Sequence, residues 1–252
     1  MNPKMPVYYI CNMKKSMHIL VYVIASILAS VVVYLFYHII PISVIGGFII
    51  GIFLEKLYAD STIKKRQKNL RLQFRDFLES MAVAARAGNV EIKAIKSAVQ
   101  DLRLSYSEQS DIVREIDNII VQYEGGGIAI KDLFQDFADR SNLTDIQSFA
   151  TIYGVIEGKS DRFGDIVVQT HEIIGEKIEV EQEIETGITS AKSETYTMLV
   201  MPVIVVVMMS AIGEGLLDSL FTTMTGHITA TIALILFVVS FIMATKFTDV
   251  NV

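Results

Sequence analysis

The sequence predicts an all-α, polytopic membrane protein, with four transmembrane helices and a cytoplasmic helical-bundle domain of about six helices. Three observations lead there. The chain of 252 residues is 52% hydrophobic, yet 20% of it is charged, a mixture that suits a membrane protein with a large aqueous part. Runs free of Asp, Glu, Lys and Arg cover Ser16 to Leu54, Thr195 to Gly213 and His227 to Thr245. Between them, residues 59–195 are hydrophilic, with apolar residues at helical spacing and no period-two strand pattern.

Residues 1–16 read as a short tail. The first uncharged run, at 39 residues, is too long for one span of about 20 residues and suits two, divided at Pro41. Spans are expected at 17–39 and 42–58; the second must bring Glu55 and Lys56 to the interface or be partly re-entrant. The apolar region exceeds the 7–15 residues of a secretory h-region, so an uncleaved anchor is expected.

The domain at 59–195 follows. Its first helix, about 61–87, places Phe74, Phe77, Leu78, Met81, Ala82 and Ala85 on one face. Gly88 stands where a helix end wants positive φ, and Asn89 is the expected N-cap of the second helix, 89–102, which buries Ile92, Ile95, Ala98 and Val99. Ser107 is the expected cap of a third helix carrying Ile112, Ile116, Ile119, Ile120 and Tyr123, ended by Gly125, Gly126 and Gly127. A fourth holds Leu133, Phe134, Phe137 and Ala138 and stops near Asn142; a fifth holds Ile146, Phe149, Ala150 and Tyr153 and ends at Gly158. A sixth, from about Asp161, carries Ile166, Thr170, Ile173, Ile174, Ile178, Ile184 and Ile188 towards the third span. Spans three and four are expected at 196–213 and 227–245, before a tail at 247–252; Pro202 is expected to kink the third, which membrane helices tolerate.

Charge sets the expected orientation. Lys14 and Lys15 precede the first span, and Lys192 and Lys246 flank the third and fourth. Lys64, Lys65, Arg66, Lys68, Arg71 and Arg75 follow the second without an intervening acid. All of these face the cytoplasm at once if both termini and the helical domain lie inside. The cation run is also a candidate docking surface for anionic lipid or a partner. Between Glu157 and Glu185 nine acids face three cations. Glu176, Glu179, Glu181, Glu183 and Glu185 therefore form a solvated helix face that could also dock a basic partner.

Little points to catalysis. GVIEGKS (Gly154–Ser160) and GGGIAIKD (Gly125–Asp132) imitate phosphate loops, but the first has its leading glycine one residue too close and follows a helix, and the second has Ile130 in place of glycine and Asp132 in place of Ser or Thr. His18, His38, His171 and His227 are scattered, and the one cysteine, Cys11, forms neither an intramolecular disulfide nor a thiolate metal site. No nucleophile–base pair, cofactor site or nucleic-acid partner is expected. The uncharged spans argue against a small transporter, and short external loops argue against a membrane sensor or receptor.

The motifs together resemble the type II secretion system F-domain family, in particular its single-domain tight-adherence (Tad) pilus members of the TadB and TadC type. They are FLESMAVAARAG (Phe77–Gly88), a helix with KAIKSAV, EGGGIAIKDLFQDFADRS (Glu124–Ser141) and FATIYGVIEGKSDRFGDIVVQTHEII (Phe149–Ile174), then a long helix into a proline-containing span. Asn89-Val90-Glu91 departs from the more apolar pattern common there. The resemblance implies a non-enzymatic inner-membrane platform for a pilus or secretion filament, with no catalytic residues. It also implies the partners: a cytoplasmic secretion ATPase, a second F-domain platform protein, pilin or pseudopilin subunits, membrane lipid, and a homo- or hetero-oligomer.

Overall fold

No glycine or proline occurs between Ile52 and Ala87, so nothing local stops a helix where the chain turns from apolar to charged. The computed structural model, which describes residues 5–10, 15–37, 39–156, 160–212 and 223–248, accordingly has one helix there, α2 (Ile40–Arg86). The second apolar segment and the first bundle helix, expected as separate elements, are continuous. The same is true of α7 (Ser160–Ile212), which runs through Pro202. The others are α1 (Lys15–Tyr37), α3 (Glu91–Ser105), α4 (Asp111–Gly126), α5 (Ile130–Ser141), α6 (Thr144–Ile156) and α8 (Met224–Thr248). Among the described residues there is no strand, and four helices are long and apolar enough to cross a membrane.

The chain divides into two units, residues 1–12 with 60–180, and residues 13–59 with 181–252. The first unit is built on an apolar core. From α2 it takes Leu70, Phe74, Phe77, Leu78 and Met81; α3 to α6 add the stripes read from the sequence, and α7 adds Phe163, Val167, Ile174 and Ile178. Rings interlock at its centre: Phe74 meets Phe149 edge-on at 5.5 Å, and Phe134 meets Phe149 and Tyr153 at 5.1 Å each. Such pairs add about 0.5–1.5 kcal/mol each beyond area burial. Tyr123, Ile173 and Ile184, expected inside, are exposed; the part of α7 that enters this core ends at Ile178.

Helix ends follow main-chain chemistry. Gly88 has φ +82° and donates to Ala85 O at 2.9 Å, while Asn89 N donates to Ala84 O at 3.2 Å, the two bonds of a Schellman close. Asn89 is thus spent on ending α2, and Val90 occupies the N-cap position of α3 with no side-chain capping bond. Likewise Ser110, not Ser107, occupies the N-cap position of α4, also without a side-chain capping bond; Ser107 O accepts from Ser110 N in the preceding turn. Gly127 (φ +62°) closes α4 and Asn142 (φ +53°) closes α5, both left-handed. Gly158 lies outside the described residues.

In the second unit, α1 and the first part of α2 form an antiparallel hairpin along a seam of small residues. A methyl group on Gly47 would overlap Ser30 Oγ and lie 2.8 Å from the main-chain oxygen of Ser26; one on Gly51 would overlap Ser26 Oγ. Gly47-x-x-x-Gly51 thus faces Ser26-x-x-x-Ser30, a close backbone approach of the kind membrane helices use. Along the same hairpin, Tyr22 meets Phe48 edge-on at 5.6 Å, and His18 Nδ1 lies 2.7 Å from Glu55 Oε1. Glu55 therefore finds a partner on α1 within the hairpin. Helix α1 also packs against α8. Most apolar side chains of these helices, Ile19, Leu28, Ile49 and Leu236 among them, are exposed, a surface that water does not tolerate over such an area.

Candidate functional site

The charged run at the start of the helical unit is not one uniform surface. Its three arginines turn inwards, each to an acid beyond its own helical turn or beside it. Arg66 donates twice to Asp111, at 2.9 and 2.8 Å, and Arg71 pairs with Asp145. Asp111 and Asp145 stand in the first turns of α4 and α6, where a helix favours negative charge. Arg75 pairs with the adjacent Asp76 at 2.8 Å, and Asp76 also accepts from the Tyr106 hydroxyl. Burial, then that bond, push the Tyr106 phenol up to about 12. Arg66 and Arg71 thus tie α2 to α4 and α6, while the Arg75 pair lies within α2. Lys64, Lys65 and Lys68 are exposed along the same stretch.

The acid run divides as well. Glu176, Glu179 and Glu183 fall at i, i+3 and i+7 and are exposed on one face of α7; Glu181, half-buried, and Glu185, exposed, lie on the opposite one. Lys177, which interrupts the run in sequence, reaches back to Asp145 at 2.9 Å. Gly125 and Gly126 belong to the last turn of α4 and, with Gly127, serve its termination. Pro202 sits within α7. Among the described residues no group of three or more His, Cys, Asp or Glu converges to hold a metal ion.

A second polar cluster escaped the sequence reading, because its first member sits in what looked like a plain tail. Tyr8 is 1% exposed and Glu115, on α4, is 0% exposed. The Tyr8 hydroxyl donates to Glu115 Oε1 at 2.8 Å, and Arg140 of α5 donates to both carboxylate oxygens at 2.6 and 2.7 Å. Arg140 also donates to Asp136, and Arg66 lies 4.7 Å above the Tyr8 ring. Tyr8 N donates to Arg140 O at 2.9 Å, and its ring meets Phe137 edge-on at 6.5 Å. Burial, reinforced by the Glu115 charge, holds the Tyr8 phenol well above its ordinary value. Burial works against the Arg140 charge, but its bonds to Glu115 and Asp136 outweigh that and raise its pKa. Glu115 stands three residues after Ile112 and four before Ile119, beside the buried stripe of α4, and that register, with a cation on α5, was the sequence signal for this node.

Comparison of the chain with protein-family models, with curated proteins and with solved structures returns no match.

Proposed function

We propose that this chain is a non-enzymatic inner-membrane platform for assembly of a type IV or Tad-like pilus or a type II secretion filament. In this reading it couples a cytoplasmic secretion ATPase to insertion or extraction of pilin subunits. The observation that carries it is the construction of the helical unit on α2 and α7, each of which is continuous with an apolar segment of membrane-crossing length. A domain built this way contains the chain's own anchors among its core helices, as a protein that passes displacement between a motor and a bilayer requires. The motif order described above supports the same reading.

Burial of Tyr8 supports the orientation. Residues 5–10 and 60–180 belong to one unit and so to one side of the membrane, which demands an even number of crossings between them. With α1 as one crossing, the apolar part of α2 is the other. The basic flanks then favour the cytoplasm for the helical unit. Lys64, Lys65, Lys68 and the face carrying Glu176, Glu179 and Glu183 are the surfaces offered to anionic lipid and to partner proteins. The test is affinity purification of the full chain from its native membrane, scored for a secretion ATPase and a second four-span platform protein. Recovery of both is expected, with no ATP hydrolysis by the purified chain alone; ATP turnover by that chain would overturn the reading.

A further inference from the structure

We propose that residues 5–10 are a releasable strap, and that the socket beneath Tyr8, made by Arg66, Glu115, Phe137 and Arg140, is a binding site for an extended, tyrosine-bearing peptide. The occupant in the closed state is the chain's own N-terminal segment. The strap is independent of the platform reading.

The seat centres on one plug. Within residues 5–10 Tyr8 is fully buried and Met5, Pro6 and Val7 are half-buried, while Tyr9 and Ile10 are 49% and 55% exposed. Among the described residues the segment is held by one main-chain bond from Tyr8 N to Arg140 O, the Tyr8 hydroxyl bond to Glu115, a longer contact of 3.3 Å from Arg140 Nη1 to Pro6 O, and the Arg66 and Phe137 contacts of the Tyr8 ring. None of these is part of a helix, so all can break without unwinding any element.

What remains after release decides whether release is tolerated. A buried carboxylate stripped of its partners would be prohibitive, but Glu115 keeps both Arg140 bonds when Tyr8 leaves, and Arg140 keeps Asp136. Water reaches a charge pair that it hydrates well, where an apolar socket would be left exposed to it. A buried ion pair is costly if permanently shut, since apolar side chains of the same volume serve a static core as well or better. It is suited to a site that opens. Ligand chemistry follows from the lining: a phenol donating to the Glu115–Arg140 pair, its ring beneath a guanidinium and edge-on to Phe137.

Two measurements on the full chain in detergent micelles test this. In hydrogen exchange followed by mass spectrometry, residues 5–10 should exchange at least about tenfold faster than the α4 core around Ile112–Ile119, as a segment that opens locally does. Exchange of both in step would overturn the strap. The fluorescent peptide Met-Pro-Val-Tyr-Tyr-Ile should bind the Tyr8→Ala chain and bind the wild type on the order of tenfold more weakly, because the tethered copy competes at millimolar effective concentration. The peptide with Phe at its first Tyr should bind the variant more weakly than the parent peptide. Unfolding of Tyr8→Ala, absence of binding to it while α4 stays protected, or equal binding to both chains would each overturn the proposal.

Discussion

Arg71 of α2 and Asp145 of α6 form an ion pair whose acid is 7% exposed, and Lys177 of α7 reaches the other oxygen of the same carboxylate. Three helices meet on one charge. Arg71→Ala should destabilise the bundle by about 2 kcal/mol, less than the 3–5 of a fully orphaned buried ion because Lys177 remains. A double-mutant cycle with Asp145→Leu, followed by thermal unfolding, should return a coupling clearly above zero; additive losses would show that the pair contributes nothing of its own.

Gly88 is a different kind of constraint. A side chain there meets no atom within 4 Å, so its cost is conformational alone, arising from φ +82°. Gly88→Ala should cost about 1 kcal/mol and Gly88→Val more, since a β-branched residue tolerates the left-handed region worst. Gly88→Asn should lie nearest the wild type. Equal melting temperatures across the series would sink the Schellman assignment.

At Gly47 the opposite holds, with backbone and side chain of α1 already in the way. Gly47→Ala should therefore separate the hairpin helices and lower the stability of the chain in micelles by about 1–3 kcal/mol, the usual penalty of overpacking. Alanine has the higher helix propensity of the two, so any loss of stability must come from the crowded seam. Wild-type resistance of Gly47→Ala to denaturant would contradict the close seam.

Alkaline pH should loosen the helical unit. Tyr106 ionises at about 12 in the folded chain and Tyr8 also well above its ordinary value, against about 10 in an unfolded chain. The folded state thus holds its protons longer, so this stability is fully present below pH ~10 and is lost as pH rises towards and beyond 12. Phenolate absorbance should show a late-titrating fraction that shrinks in Tyr8→Phe and in Tyr106→Phe. Tyr8→Phe and Tyr106→Phe should each flatten the decline in melting temperature; an unchanged slope in both would refute the assignment.

What the sequence made legible was periodicity and breakers. Phe74, Phe77, Leu78 and Met81 declared their face because α2 buries them at every turn, and Gly88 declared the end of that helix. The unity of α2 was hidden, since a change of hydropathy at Ala59 marks a change of surroundings and no break in the backbone. Arg66 and Arg71 read as a surface because their partners lie 45 and 74 residues away, beyond any local pattern. The Gly47–Gly51 spacing was visible and went unread. Tyr8 was invisible: standing beside Tyr9 outside any helical pattern, it has no period to betray burial.

The Tyr8–Glu115 bond also imposes an order on synthesis. Tyr8 leaves the ribosome 107 positions ahead of its acceptor, about 5–20 s at 5–20 residues per second. Throughout that interval Tyr8 has no seat, while the apolar stretches of α1 and α2 are already available to the bilayer. Insertion of the first hairpin thus comes before closure of the strap, and a docked Tyr8 marks a chain whose α4 and α5 have already been made and packed.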